Sequence, residues 1–235
     1  MSKIIPILIL LLSVYSISLA EEFKIPPECE ILIDDFRHGI KAEWISKSFK
    51  GYTEYIWTKE NGKPFVKATS NNAASGLIYR IIYDPQKYPY ITWIWKADKI
   101  ITSGDATQKS KDDYSARIYI AFPSLFFWNS KIINYIWANK LPVNQNIPSA
   151  YTSSSIMVSV ESGPANTGKW ITETRNLYED YIRFFGKKPR KVAAIAIMTD
   201  TDDTGESTSA GYGPILVCSR PPDNKISRYC FSPKN

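Results

Sequence analysis

Three predicted strands carry charged and aromatic side chains at alternate positions, where a sheet would present them on one face. The segments are 112–122, 132–139 and 170–176, and each keeps apolar side chains on its opposite face. The side chains that could do chemistry on these strands are Asp113, Arg117, Tyr119, Tyr135, Trp137, Asn139, Glu173 and Arg175. Charged residues seldom occupy mid-strand positions in a protein core, so this polar-aromatic set is the first candidate for a ligand-binding surface.

The polar-aromatic set suits a glycan or another small polar ligand. Aromatic rings stack on the apolar face of a sugar, while Arg, Asn and carboxylate groups hydrogen-bond its hydroxyls. If the three strands lie in one sheet, we expect Arg117, Tyr135 and Glu173 to contact one another and to border a partly open cleft, with Arg117 as the anchoring charge. The alternative is structural: Arg117 pairs with Glu173 or Asp113, and the aromatic rings fill the core.

A second candidate is the acidic run that follows the predicted strand 192–198. Asp200, Asp202 and Asp203 offer three carboxylates within four residues, and calcium prefers oxygen ligands of this kind. The run resembles the start of an EF-hand loop, but Gly211 stands at the position where that loop needs a Glu. The alternative to a calcium site is a solvated acidic turn in which Asp200 accepts hydrogen bonds from the backbone.

Acid catalysis is a third candidate chemistry. A glycosidase needs two carboxylates at a defined separation, such as Asp113 with Glu173 or Asp200 with Asp202. A polysaccharide lyase would instead need a base, a neutralising cation such as Arg117 and a Tyr as proton donor. Spacing in the sequence fixes none of these distances, so catalysis stays an open alternative.

Histidine and cysteine usage excludes several other classes of site. His38 is the only histidine, which excludes the usual Cys/His zinc site and any mechanism that needs two histidines. The three cysteines are Cys29, Cys218 and Cys230. Because the first and last strands of a jelly roll are commonly neighbours, we expect a Cys29–Cys218 disulfide first and a Cys218–Cys230 disulfide second. The net charge of +6 is mild and scattered, without the basic stripe that nucleic-acid binding requires.

The first twenty residues read as a secretory signal peptide. Lys3 precedes an apolar run over 4–12, and small residues at Ser18 and Ala20 suit a signal peptidase. We therefore expect a mature chain that begins at Glu21, a periplasmic or secreted location, and no transmembrane segment after cleavage. The alternative is an uncleaved N-terminal anchor, and mass spectrometry of the mature N-terminus distinguishes the two.

The rest of the chain predicts an all-β protein with one helix. Ten or eleven short strands are separated by turn signals, and the spacing of apolar residues changes to a helical period only over 177–186. Segment 192–198 is apolar on both sides, which is typical of a central strand. The predicted architecture is a single domain over 21–235, an antiparallel β-sandwich of jelly-roll type.

Five motifs resemble, in the same order, a family of exported bacterial proteins known as domain of unknown function 3047. The motifs are YITWIWKAD, KDDYSARIYIAF, NYIWAN, WITETRN and VAAIAIMTDTDDTG. The resemblance covers about residues 31–217. It implies an envelope or secreted location, and it implies no activity, cofactor or catalytic residue.

Three function hypotheses follow from the residues and the resemblance. The first is an exported protein that binds a glycan or other small polar ligand without changing it. The second is a glycan-cleaving hydrolase or lyase that uses carboxylates, Arg and Tyr. The third is an envelope interaction protein with no small-molecule ligand.

Overall fold

The computed structural model describes residues 24–124 and 130–222, which form two β-sheets and one α-helix. The predicted signal peptide and Cys230 lie outside the described residues. Within the described ranges, no helix has the length and apolar character needed to cross a membrane.

The two sheets differ in size and in strand order. The six-stranded sheet contains β1 (Ile31–Asp34), β3 (Glu54–Glu60), β4 (Lys63–Asn71), β6 (Tyr90–Ala97), β11 (Ile171–Asn176) and β13 (Ser207–Cys218). The seven-stranded sheet contains β2 (Trp44–Lys50), β5 (Ala74–Tyr83), β7 (Arg117–Phe122), β8 (Lys131–Ala138), β9 (Asn146–Pro148), β10 (Ser155–Ser162) and β12 (Val192–Asp200). The first has the order β11-β6-β13-β4-β3 with β1 beside β13, and the second has the order β2-β5-β12-β7-β8-β10-β9.

The sheets pack face to face because each strand turns one apolar side inward. Ile118 and Ile120 of β7 are fully buried in the core, as are Ile195 and Ile197 of the neighbouring β12. Large aromatic side chains from the two sheets contact one another in the core. Trp93 of β6 stacks on Tyr135 of β8 at a centroid distance of 5.2 Å. The predicted all-β sandwich is confirmed.

One strand pair departs from the antiparallel pattern. Strands β8 and β10 run parallel, with Ile133 paired to Ile156. A parallel pair needs a crossover connection rather than a hairpin, and here the crossover is 139–154, which contains the short strand β9. β9 pairs antiparallel with β10 and forms the edge of the sheet.

The helix α1 (Leu177–Phe185) forms where the sequence predicts it. Asn176 caps the N-terminus, and its side chain accepts a hydrogen bond from the backbone N–H of Glu179. Gly186 ends the helix in the left-handed conformation with φ 67°. Leu177 is buried in the core, so the helix closes one side of the sandwich.

The strand predicted over 112–122 begins only at Arg117, so the first part of that prediction is wrong. The carboxylate of Asp113 accepts hydrogen bonds from the backbone N–H groups of Asp203 and Thr204. This segment is therefore tied to the loop between β12 and β13 instead of joining the sheet. Asp112 accepts a hydrogen bond from the nearby Tyr114 hydroxyl at 2.7 Å.

A disulfide joins Cys29 to Cys218, with the two Cα atoms 3.8 Å apart, which confirms the first of the predicted pairings. The pairing follows from topology, since β1 lies antiparallel to β13 with Ile31 opposite Val217. A structural disulfide is typical of proteins that fold in an oxidising compartment, which is consistent with an extracellular protein. Export itself stays a prediction.

Removing this disulfide is expected to lower the free energy of unfolding by about 2–5 kcal/mol. Without the bond, which closes a long loop, the unfolded chain has more conformational entropy and is therefore more stable relative to the folded protein. The variant Cys29→Ser/Cys218→Ser should show the loss in urea unfolding monitored by tryptophan fluorescence. Cys230→Ser is the control, since it leaves the bond intact. Equal midpoints for the double variant and the control would contradict the expectation.

Candidate ligand-binding cleft

A cleft of about 640 Å³ lies on the outer face of the seven-stranded sheet. Tyr119 and Ala121 of β7 line it, whereas their neighbours Ile118 and Ile120 point into the core. Side chains at successive strand positions point to opposite faces, so the cleft lies on the side turned away from the six-stranded sheet. Strands β5, β12, β7, β8 and β10 form its floor.

The floor of the cleft is apolar and contains many small side chains. The apolar floor consists of Ala74, Gly76, Ile78, Ala121, Ile132, Met157, Ala194, Ala196 and Met198. Small residues lie side by side on β7 and β12, where Ala121 pairs with Ala194, and Gly76 on β5 adds no side chain opposite Met198. Their short side chains leave a trough across the sheet that longer side chains would fill.

One side of the cleft is polar. The polar wall consists of Asn134, Ser149, Tyr151, Thr152 and Ser155, from β8, β10 and the connection between β9 and β10. The Asn134 amide nitrogen donates to the Ser155 hydroxyl at 2.8 Å. Asn134 is only 2% exposed, and its Oδ1 has no hydrogen-bond partner among the described residues. The wall therefore holds an unsatisfied acceptor next to the ligand space.

The end of the cleft near the β12–β13 loop is charged. The acidic end contains Asp112, Asp200, Asp202 and Asp203 together with Arg117. The Arg117 guanidinium forms a buried ion pair with the Asp200 carboxylate. It lies between two aromatic rings, 5.1 Å from the Tyr114 centroid and 5.0 Å from that of Tyr119. Arg117 is thus neutralised within the protein and is a poor anchor for an anion.

The carboxylates at the acidic end are hard to ionise together. Burial raises the pKa of Asp112, and the charges of Asp203 and Asp113 raise it further, against the opposing effect of Arg117. Burial also raises the pKa of Asp202, again with a contribution from Asp203 and Asp113. Burial alone would lower the pKa of Arg117, but Asp200 and the other nearby groups raise it, so Arg117 stays charged. The lining of the acidic end therefore has four carboxyl groups and one cationic side chain, Arg117.

Three carboxylates, from Asp113, Asp200 and Asp202, come within 4.8 Å of one another. Asp203 is not in this group, and its carboxylate accepts a hydrogen bond from the Tyr151 hydroxyl at 2.6 Å. The group fits a calcium site only in part, because Asp113 already accepts two backbone hydrogen bonds and Asp200 already pairs with a cation. Calcium binding by Asp200, Asp202 and Asp203 stays a prediction; a melting temperature that calcium leaves unchanged would count against it.

The expectation that Tyr135 and Trp137 share a face with Arg117 is wrong. In the β7–β8 pair, Arg117 lies opposite Ile136 and Tyr119 lies opposite Asn134. Directly paired residues point to the same face, so the even-numbered residues of β8 lie on the outer face, where Ile132 and Asn134 line the cleft, and the odd-numbered ones do not. Tyr135 and Trp137 are fully buried between the two sheets.

Glu173 and Arg175 belong to β11, at the edge of the other sheet. The Arg175 guanidinium forms an ion pair with Asp180 of α1 at 2.8 Å and lies 5.7 Å from the ring centroid of Tyr135. The Tyr135 hydroxyl donates to the same Asp180 carboxylate at 2.8 Å. The predicted contact of Arg117 with Tyr135 and Glu173 is therefore wrong, and Tyr135 and Arg175 instead attach the helix to both sheets.

Asn139 has a structural position outside the cleft. Its Nδ2 donates to the backbone carbonyl of Asp113, and its Oδ1 accepts from the backbone N–H of Ile101. Of the eight polar-aromatic residues predicted from the strands, the cleft lining contains Arg117 and Tyr119.

A family model described as a protein of unknown function, DUF3047, matches residues 42–216. The chain belongs to the DUF3047 family. No similar sequence is found among curated proteins.

Several solved structures are similar to this DUF3047 chain at low sequence identity. A family 30 carbohydrate-binding module of a Clostridium thermocellum cellulosomal cellulase has 12% identity and a TM-score of 0.43, covering 76% of this chain and 92% of the module. The CBM22-1 xylan-binding domain of Paenibacillus barcinonensis Xyn10C has 8% identity and a TM-score of 0.42, covering 83% of this chain and 99% of the xylan-binding domain. A Lys-gingipain adhesin domain from Porphyromonas gingivalis has 12% identity and a TM-score of 0.42, covering 81% of this chain and 99% of the adhesin domain.

Sequence reasoning missed most of the DUF3047 cleft, although two signals were present. Asn134 is a polar residue inside an otherwise apolar strand, and Ala194 and Ala196 alternate with the Ile residues of β12. An alternation of small and branched residues predicts a hollow on the side of the small residues. Tyr151 had no signal of this kind, because its position depends on the path of the crossover connection.

Proposed function

We propose that this DUF3047 protein binds a glycan, without changing it, in the cleft of the seven-stranded sheet. The observation that carries the proposal is the apolar floor lying beside the polar wall within one cleft of about 640 Å³. A sugar ring has an apolar face and a rim of hydroxyls, so it matches a surface with these two parts. Clefts of this volume are in the usual range for small-ligand sites.

Aromatic side chains at the mouth of the cleft support a stacking role. Phe49 of β2 is 66% exposed and Tyr151 of the β9–β10 connection is 52% exposed, and both line the cleft. Aromatic rings stack on the apolar face of a sugar, so both side chains are suited to cover a bound glycan. The two rings come from opposite edges of the sheet, so a ligand on the floor would lie between them.

Filling the cleft is expected to abolish glycan binding. The variant Ala196→Trp places a large ring on the floor, and it should weaken binding to an immobilised panel of neutral, acidic and amine-bearing glycans by at least about tenfold. Ala165→Trp is the matched control, because Ala165 lies in an exposed loop away from the lining. Unchanged binding by Ala196→Trp, or no binding of any glycan by the wild-type protein, would overturn the proposal.

Catalysis is the second candidate, favoured by one observation. Asp112 and Asp202 line the cleft, and burial raises the pKa of both carboxyl groups, as a general acid requires. Neither member of the predicted pair lines the cleft, since Asp113 accepts hydrogen bonds from the β12–β13 loop and Glu173 belongs to β11 of the other sheet. Incubating each bound glycan with the protein and measuring new reducing or unsaturated ends distinguishes the two functions, since turnover would replace the binding proposal by an enzyme.

A further inference from the structure

We infer that the glycan carries a protonated amine and that this amine lies against the acidic end of the cleft. The inference rests on the proposed function and adds the chemical class of the ligand. The ligand would be an amine-bearing sugar, and acidic sugars would be excluded.

The balance of charge at the acidic end is the first observation. Asp112, Asp202 and Asp203 line the cleft in addition to Asp200, whose charge Arg117 already neutralises. Arg117 is the only Lys or Arg that is buried in the described ranges 24–124 and 130–222. A ligand cation would supply the missing positive charge, and charge-assisted hydrogen bonds to carboxylates are among the stronger polar contacts in proteins.

The nearby lysines do not supply this charge inside the cleft. The ammonium group of Lys50 is exposed and donates to the backbone carbonyl of Asp202 rather than to its carboxylate. Lys109 is also exposed, and its Nζ lies 4.7 Å from the ring centroid of Tyr151. Both lysines lie outside the cleft lining, so Arg117 is the one cationic side chain among the described residues that line the cleft.

Asn134 provides a second, independent sign of a ligand. Its side chain lines the cleft and is only 2% exposed. Its Oδ1 accepts no hydrogen bond among the described residues. Buried acceptors are normally satisfied, so a donor on the ligand is expected here. Asn134 pairs with Tyr119, which pairs with Ala196, four residues before Asp200 on β12. At a rise of about 3.3 Å per residue, the offset along the strands between Asn134 and Asp200 is about 13 Å, which is longer than one sugar ring.

The two ends of the cleft therefore suit different chemical groups of one ligand. The polar wall and the apolar floor would hold a neutral ring beside Asn134, while the acidic end would hold an amine on a neighbouring ring. A metal ion is a weaker match to the acidic end, because Asp113 and Asp200 already accept hydrogen bonds from the protein. An acidic sugar would meet four carboxyl groups and no free buried cation among the described side chains.

The test compares each glycan of a mixed-linkage panel in its N-acetylated and its de-N-acetylated form at about pH 6, where a sugar amine is protonated. The amine forms are expected to bind about tenfold more tightly than the neutral forms, and acidic glycans are expected not to bind. Raising the salt concentration from about 0.05 M to about 0.5 M should weaken the amine forms selectively, because added salt screens charge pairs.

Two variants that each remove one carboxylate charge from the cleft lining test whether the preference for the amine arises there. Asp202→Asn and Asp112→Asn should each remove most of the preference for the amine, measured within each variant as the ratio of the affinities for the amine form and the neutral form of the same glycan. Glu54→Gln is the matched control, because Glu54 is an exposed carboxylate on the six-stranded sheet. Binding of neutral forms with no preference for the amine would overturn this inference and leave the proposed function standing. Absence of binding to every glycan would overturn both.

Discussion

Replacing Arg117 by Met is expected to lower the free energy of unfolding by about 3–5 kcal/mol, because it leaves the carboxylate of Asp200 buried without its cation. Met keeps much of the stem volume of Arg, so packing against Tyr114 and Tyr119 changes less than the charge does. Urea unfolding monitored by fluorescence, with the slope compared between variants, measures the effect.

The double variant Arg117→Met/Asp200→Asn separates the charge effect from packing. If the unpaired carboxylate is responsible, the double variant should recover a large part of the lost stability, which a double-mutant cycle would record as coupling. Arg80→Met is the matched control, because Arg80 is exposed on β5 of the same sheet. A loss for Arg117→Met no larger than the loss for Arg80→Met would refute the expectation.

Replacing Glu173 by Gln is expected to stabilise the protein at alkaline pH. Burial, with a smaller contribution from the charge of Glu161, raises the pKa of Glu173 from 4.5 to about 8. Its Oε1 is buried and accepts no hydrogen bond among the described residues. The folded protein therefore holds a neutral carboxyl group here at neutral pH, and ionising it costs free energy.

The sign of the pH dependence follows from the raised pKa. Between pH 4.5 and about 8 the unfolded chain has released this proton while the folded chain keeps it, so stability falls as the pH rises. At about pH 8.5 the Gln variant should exceed the wild type by about 4–5 kcal/mol, and at about pH 4 the two should be equal. Urea unfolding at both pH values, with Glu54→Gln as the control, measures the difference. A constant difference between Glu173→Gln and the wild type at the two pH values would show that ionisation is not involved.

The sequence was sufficient to predict the elements that local patterns determine. Alternation identified the strand that carries Arg117, and a run apolar on both sides identified the strand that carries Ile195. The change to a helical period identified α1, whose cap residues Asn176 and Gly186 are local features. The disulfide was predictable because it depends on which strands are neighbours, a property that the sandwich architecture largely fixes.

The assignment of faces was not predictable in the same way. Strand β8 has two candidate faces, one with Tyr135 and Trp137 and one with Asn134, and only its register against β7 decides which is outward. Large aromatic residues are as suitable for a core as for a sugar-binding surface, so residue type could not decide. Glu173 was misplaced for a related reason, since nothing local to β11 says which of two sheets it joins.

The bond between Cys29 and Cys218 makes a covalent ring of the chain between them. Every residue that lines the cleft lies inside this ring. A protease that cuts the exposed crossover near Tyr151 would open the ring into one branched molecule and would release no fragment. In a compartment that contains proteases and no reductant, the cleft can therefore be nicked and still keep both of its sides on one molecule.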